Sequence, residues 1–317
     1  MQQRVLQERS MRCDRFTYAP RPEIVSASPC GARGFMPWAK VVGDLGDHKG
    51  RDESGFETLG GGVLLGVDYR FNEVLWMTGD IGVGRVDIDH DNGAESDFDT
   101  IDLGFAAGTE IVGVTTRGSL TYSHGFHETK RKVDFLGERL ESKHDSDRVT
   151  LAANAGYPVK AGPFSVEPNV TFDYTHVSEE SVSESGSDTV GLDVSSRKAD
   201  VMGLAGGVRI TTNILKYAYA GELLEWTDGV WSPAISVHWR QAFGDVDRDQ
   251  KASMSGAPGG IGNFESSAED SNGGVELGAH LSFQPLESGA SFEVGYDGYF
   301  GDDVTSHAGN VSVRIPF

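Results

Sequence analysis

The chain has 317 residues and a formal net charge of −21. This acidic balance argues against a nucleic-acid partner, because nucleic-acid binding needs basic patches that neutralise phosphates. The mean hydropathy is −0.32, and no apolar run reaches about eighteen residues, so the sequence predicts no transmembrane helix.

Residues 1–34 are predicted to form a linker that precedes the first strand. Within it, residues 1–16 place a few apolar side chains among Gln, Arg and Glu, which predicts a short helix, with a frayed terminus as the alternative. Three prolines then favour an extended backbone. They are Pro20, Pro22 and Pro29.

Cys13 and Cys30 are the only cysteines in the sequence. In an exported protein an even pair favours one disulfide, whereas in a cytosolic protein the same pair would stay as two free thiols. The opening residues lack the apolar core of a secretory signal, so we expect a chain whose N-terminal part has been removed or lost.

From residue 35 onward, twelve segments alternate between apolar and polar residues, a period of two that is typical of strands with one apolar face. Barrel strands expose only every second side chain to lipid, so this pattern is compatible with the low hydropathy. The predicted strands are 35–45, 61–71, 74–88, 98–109, 113–126, 147–157, 164–176, 198–211, 230–243, 274–283, 290–300 and 307–317.

The joins between these strands differ in length. Four are short, at 72–73, 110–112, 158–163 and 284–289, and five are long and polar, at 46–60, 89–97, 127–146, 177–197 and 244–273. Short and long joins therefore alternate along the chain, except at 301–306 and 212–229. The join at 212–229 predicts a short helix or an extension of its flanking strands. Long joins on one side only are typical of a transmembrane barrel with short periplasmic turns and external loops. An even strand number then places both termini at the periplasmic rim.

The two faces of these strands predict which side chains contact lipid. The apolar face should point to lipid, and the face with small and charged residues should line the lumen. Twelve strands enclose a lumen wide enough for a helix, so residues 1–16 are a candidate pore helix. The lumen-facing candidates are Lys40, Asp68, Arg70, Asp102, Glu167, Asp173, His238, Arg240 and Arg314.

Two groups of residues could suggest a metal site, and both signals are weak. His124 and His127 flank the end of the fifth strand, although interfacial or loop histidines are the simpler interpretation. Asp245, Asp247 and Asp249 resemble the start of a calcium loop but lack its glycine and terminal glutamate. We therefore expect no metal and no cofactor.

A hydrolase would need a nucleophile, a base and an orienting group that converge. Ser236, His238 and Asp173 face the predicted lumen, but nothing in the sequence brings them together. No GxSxG motif occurs in a strand–turn–helix context. The sequence therefore predicts no enzyme.

The segment 35–317 resembles the C-terminal β-domain of an autotransporter, the translocator of type V secretion. Each motif is weak alone, but their order and spacing are specific to this family. They are Trp38-Ala39-Lys40, the glycine-rich strand GGVLLGVDY at 61–69, Pro168, Trp231-Ser232-Pro233-Ala234 with the later Trp239, Tyr296-Asp297-Gly298, and the final aromatic Phe317.

The resemblance implies an all-β, twelve-stranded antiparallel barrel in a Gram-negative outer membrane, threaded by a helix. It implies a role in the secretion of an N-terminal passenger, which we expect to be absent here. The implied partners are outer-membrane lipid, lipopolysaccharide, the passenger and the barrel assembly machinery, which would read Phe317 as an assembly signal. Alternatives are a stand-alone outer-membrane barrel acting as a porin, adhesin or surface enzyme, and a soluble β-protein in which 307–317 is an ordinary strand.

Overall fold

The computed structural model describes residues 34–315, apart from the gaps at 50–54, 73, 135, 217–228, 247, 255–262, 269–271 and 286–289. Four sequence predictions therefore lie outside the described residues: the helix over 1–16, Cys13, Cys30 and Phe317. In the part of the chain that is described, no helix is long and apolar enough to cross a membrane.

Twelve antiparallel strands form one closed sheet, which confirms the predicted barrel and its strand number. Each strand pairs with the next along the chain, and the last pairs with the first. The strands are β1 (Gly34–His48), β2 (Phe56–Arg70), β3 (Trp76–His90), β4 (Glu95–Ile111), β5 (Val114–Val133), β6 (Glu138–Gly156), β7 (Phe164–Glu179), β8 (Arg197–Thr212), β9 (Gly229–Gly244), β10 (Gly273–Pro285), β11 (Ser291–Gly301) and β12 (Val304–Arg314).

The apolar side chains of the strands point outward, as β4 illustrates. Ile101, Leu103 and Phe105 are 46%, 51% and 44% exposed, whereas Ala106 on the opposite face is 1% exposed. A soluble sheet protein would bury such a face, because burial of apolar side chains drives its folding. The same outward apolar phase continues on the neighbouring strands, so an apolar belt surrounds a polar interior.

Inward-facing glycines leave space for tryptophan rings of the adjacent strand to lie against the barrel wall. Trp38 on β1 is opposite Gly66 on β2, and Trp76 on β3 is opposite Gly108 on β4. A Cβ atom at Gly66 would overlap the Trp38 ring, and one at Gly108 would overlap the Trp76 ring. These positions therefore require glycine for a close approach rather than for backbone flexibility.

Two of the predicted long loops are mostly strand, so the sequence prediction was wrong there. Most of the join predicted at 127–146 is a hairpin, in which β5 and β6 pair from Val133↔Glu138 at its tip. The join predicted at 89–97 is only a turn at 91–94. Beyond the apolar belt both faces of a strand contact water, so the alternation that reveals a strand disappears. Hydropathy therefore underestimated the strand lengths.

Two other loops form a small sheet beside the extended β5–β6 hairpin. Its strands are Val182–Ser183, Leu192–Val194, Arg248–Met254 and Asn263–Ala268, paired in the order 263–268, 248–254, 192–194, 182–183. A bridge between Glu141 and Ser185 joins this sheet to β6. Together with the hairpin it forms a raised wall on one side of one barrel rim.

Short strands also extend the opposite end of the barrel. Ile214–Lys216 pairs with the start of β9, so the described part of the 212–229 join extends a flanking strand, one of its two predicted outcomes. Val159–Ala161 pairs with the start of β7 and turns the chain between β6 and β7.

Candidate functional site

The lumen is the candidate functional site, because it concentrates the buried polar groups of the described residues. All nine candidates from the sequence lie on the face opposite the exposed apolar side chains. Lys40, Asp68, Arg70, Glu167 and Asp173 are between 2% and 8% exposed. The other four, Asp102, His238, Arg240 and Arg314, are half-buried.

One group of these side chains lies where the last strand meets the first. Arg314 on β12 forms an ion pair with Asp68 on β2, with 2.8 Å between Nη2 and Oδ2. Trp38 on the intervening β1 donates its indole N–H to the other oxygen of Asp68 at 2.9 Å. Arg70 donates from Nε to the backbone carbonyl of Asn72 in the following turn at 3.0 Å. These bonds fasten three strands and one turn together on the lumenal side.

A second group centres on Glu167 of β7. Its Oε1 accepts a hydrogen bond from the Thr115 hydroxyl at 2.8 Å and lies 3.3 Å from Nη1 of Arg117. Arg117 also donates to the amide oxygen of Asn154 on β6 at 2.9 Å. The side chains of Arg117 and Glu167 are only 4% and 6% exposed, so this ion pair is well shielded from water.

A third group joins β7, β9 and β10. Arg240 donates to Asp173 at 2.6 Å, and a second guanidinium nitrogen lies 3.8 Å from Glu276. His238 contacts the side-chain oxygen of Asn169 through Nε2 at 3.0 Å. Asp173 therefore pairs with Arg240 rather than with His238, so the set Ser236, His238 and Asp173 does not form a catalytic arrangement.

Sequence reasoning missed several members of these groups: Thr115, Arg117, Asn154, Asn169 and Glu276. Each occupies the inward phase of its strand, so the alternation that selected the nine candidates could have found them. Asp102, which was selected, accepts a hydrogen bond from Thr100 at 3.2 Å and another from Ser123.

The histidine pair that could have held a metal does not assemble. His124 points outward, 3.0 Å from Asp147, whereas His127 points inward and stacks on Phe98 and His144 at centroid distances of 4.2 and 4.5 Å. Positions separated by three residues in a strand face opposite sides, so these two histidines do not share a metal site. Among the described residues, no group of three His, Cys, Asp or Glu side chains could hold a metal.

The weak resemblance of Asp245, Asp247 and Asp249 to a calcium loop gains no support from the contacts of Asp245. Asp245 accepts a hydrogen bond from the backbone N–H of Asp200 at 3.0 Å. Asp247 lies outside the described residues.

The hairpin beyond the apolar belt carries exposed ion pairs. Glu128 lies 2.7 Å from Lys130 and 3.1 Å from Lys143. Hydrogen bonds from Lys130 and then Lys143 hold the pKa of Glu128 below its ordinary value, because they stabilise its charged form. Such exposed pairs contribute little to stability compared with the lumenal pairs.

The lumenal wall offers hydrogen-bond donors and acceptors, and on its inner face the Ser146 hydroxyl lies 2.8 Å from Nε2 of His127.

Comparison with known proteins gives one family and several structures of the same fold. The family model described as "Autotransporter beta-domain" matches residues 37–297. A curated relative, the "Extracellular serine protease" of Serratia marcescens, is 26% identical over 221 residues, which are 67% of this chain and 19% of that protein. The chain thus spans about a fifth of that relative's length.

Among solved structures, the translocator domain of autotransporter NalP from Neisseria meningitidis matches with a TM-score of 0.68 and 16% identity, covering 100% of this chain and 95% of that one. The β-domain of the Bordetella autotransporter BrkA matches with a TM-score of 0.63 and 15% identity, covering 90% and 100%. The transport unit of AIDA-I from Escherichia coli matches with a TM-score of 0.58 and 15% identity, covering 89% and 90%. At these identities the structural matches show the fold alone.

Proposed function

The chain belongs to the autotransporter β-domain family of outer-membrane translocator barrels, and we propose that its lumen passes an N-terminal passenger polypeptide to the cell surface. The observation that carries this proposal is the closed wall of twelve strands with an apolar outside and a polar inside. In a bilayer such a wall satisfies every backbone hydrogen bond within the sheet and leaves a wet path through the middle. The domain is a transport barrel.

The proposed orientation puts the C-terminus and the start of β1 at the periplasmic rim. The turns at 71–75, 112–113 and 157–163 are at one end of the barrel, and the raised wall with the β5–β6 hairpin is at the other. Outer-membrane barrels keep short turns in the periplasm and place longer extensions outside the cell. This comparison supports an external position for the raised wall.

The division of the chain follows from the same proposal. Residues 1–34 would link the barrel to a passenger, with residues 1–16 as the pore helix, and residues 35–317 would be the barrel domain. A lumen lined by charged and amide side chains can accept the polar face of such a helix. The proposed disulfide between Cys13 and Cys30 would lie within this linker.

The partners remain proposals that rest on the family. The outward apolar belt would contact outer-membrane lipid and lipopolysaccharide. The barrel assembly machinery would bind the last strand, with Phe317 as its signal. Neither a nucleic-acid partner nor a cofactor is part of the proposal.

Surface display tests the proposed transport. An export signal and an epitope would be placed before residue 1, and intact Gram-negative cells would be stained with an antibody that cannot cross the outer membrane. We expect staining of cells whose barrel is folded, judged by faster migration of unheated protein in gel electrophoresis. The control is the same fusion shortened at residue 289, which lacks β11 and β12 and cannot close. A folded full-length barrel whose epitope stays periplasmic would contradict transport and favour a stand-alone porin, adhesin or surface enzyme.

A further inference from the structure

The seam between β12 and β1 differs from the other joins of the barrel. Eleven strand pairs link neighbours in sequence, but this pair links the two ends of the sheet, so no connecting turn sets its register. Inward and outward alternation excludes a slip by one residue, because that would turn every apolar side chain into the lumen. A slip by two residues keeps each side chain on its own face, so some specific contact has to exclude it.

The outward side of the seam does not provide that contact. In the native register Gly43 on β1 is opposite Gly309 on β12 and Gly61 on β2. A Cβ atom at Gly309 would meet nothing within 4 Å, and one at Gly43 would meet only the Gly60 carbonyl oxygen, at 3.8 Å. A two-residue slip would bring Val311 or His307 opposite Gly43, and this open row has space for either side chain.

The lumenal side of the seam does distinguish the native register from a slipped one. Arg314 is the partner of Trp38 in the native register, and the Trp38 ring lies over Gly66 of β2. Arg314 thereby reaches across β1 to Asp68, at 2.8 Å, and Trp38 donates to the same carboxylate at 2.9 Å. We refer to Arg314, Trp38 and Asp68 as the seam clasp. Trp38 and Asp68 are 5% and 8% exposed, and the side chain of Arg314 is 14% exposed.

We propose that the seam clasp prevents the last strand from closing the barrel with Arg314 opposite Lys40, with Asp68 as the group that positions Arg314. In the native register Arg314 is level with Trp38 and Gly66, two residues along β2 from Asp68, and this slip moves it about 6.6 Å farther away, at about 3.3 Å per residue. That displacement exceeds the reach of the ion pair, so a barrel slipped in this direction would leave a cation and a carboxylate separated in a partly dehydrated wall. The proposal concerns closure and holds whether or not a passenger is transported.

Cysteine cross-linking reads the register directly. In the full chain with Cys13→Ser and Cys30→Ser, the pair Val41→Cys/Val311→Cys reports the native register, because Val41 and Val311 are partners. The pairs Val41→Cys/Val313→Cys and Val41→Cys/Gly309→Cys report slips by two residues in either direction. Each would be refolded from urea into detergent under oxidising conditions, and folding would be judged by the migration of unheated protein.

With Asp68 intact, we expect the native pair to cross-link and the pair Val41→Cys/Val313→Cys, which reports the slip with Arg314 opposite Lys40, not to cross-link. With Asp68→Asn, the ratio of Val41→Cys/Val313→Cys cross-links to native cross-links should rise at least about tenfold, which corresponds to about 1.4 kcal/mol. Arg314→Lys keeps the charge and should retain the native register. Asp173→Asn is the matched control, because Asp173 is an inward carboxylate of β7, 3% exposed, whose arginine partner Arg240 is on β9, and neither strand belongs to the seam. Native cross-links alone in folded Asp68→Asn barrels would overturn the proposal.

A second arm covers the case in which Asp68→Asn yields no folded barrel. A disulfide between Val41→Cys and Val311→Cys would then hold the seam in its native register before folding. If the clasp acts on register, this disulfide restores the folded, heat-modifiable barrel. If the disulfide forms and the chain still does not fold, Asp68 has another role and the proposal fails.

Discussion

The Arg117–Glu167 ion pair should be among the strongest single contributions of the lumenal wall. Two unit charges 3.3 Å apart attract by about 5 kcal/mol at an effective dielectric constant of about 20, and by about 1.3 kcal/mol in bulk water. Both side chains are at least 94% shielded from water, so the larger value is closer, although desolvation opposes it. We expect Glu167→Gln to lower the free energy of unfolding by about 3 kcal/mol.

A double-mutant cycle with Arg117→Met separates the pair from the other bonds of these residues. Urea unfolding of the barrel in lipid vesicles should give a coupling energy of about 2 kcal/mol, within the range for contacting residues. The exposed cross-strand pair Glu128→Gln/Lys143→Met is the control, with an expected coupling below about 0.5 kcal/mol. Equal coupling in the two cycles would refute the reasoning that burial on the lumenal wall strengthens the pair.

Three further predictions concern the barrel wall and the β5–β6 hairpin. Gly66→Ala should destabilise the folded barrel by about 1–3 kcal/mol, because its Cβ atom would overlap the Trp38 ring; a loss below about 0.5 kcal/mol in urea unfolding would contradict this. Leu103→Arg should cost about 2–4 kcal/mol in vesicles if it faces the middle of the bilayer, and much less in a soluble protein. The coupling of Glu128 to its lysines should be present above the ordinary pKa of a glutamate and lost as pH falls through the lowered pKa, so equal coupling energies at neutral and strongly acidic pH would exclude it.

The sequence predicted the twelve strands because lipid and lumen impose opposite demands on neighbouring residues. On β4, Ile101 and Leu103 alternate with Asp102 and Gly104, and this contrast is visible without any knowledge of contacts. The same contrast selected the nine lumenal candidates. The strand ends were harder to predict from the sequence, because residues such as Glu128 and Lys130 lie where both faces of the hairpin contact water.

The lumenal contacts could not be read from the sequence, because they depend on register. Arg117 and Glu167 are 50 residues apart along the chain, and Arg314 and Asp68 belong to the last and the second strand of the barrel. The alternation places each of them on the inner face but does not say which positions are level with one another. Only the strand pairing fixes which positions are level, and hydropathy does not report the offset between neighbouring strands.

Accessibility along one strand is the most direct test of the central claim that this chain is a lipid-embedded barrel with a water-facing interior. Single cysteines at 100–105 on β4 would be introduced into the Cys13→Ser/Cys30→Ser chain, folded into vesicles and labelled with an environment-sensitive dye. A lipid-soluble quencher should act on labels at Ile101, Leu103 and Phe105, and an aqueous quencher on labels at 100, 102 and 104. Quenching from water alone at all six positions would contradict the account.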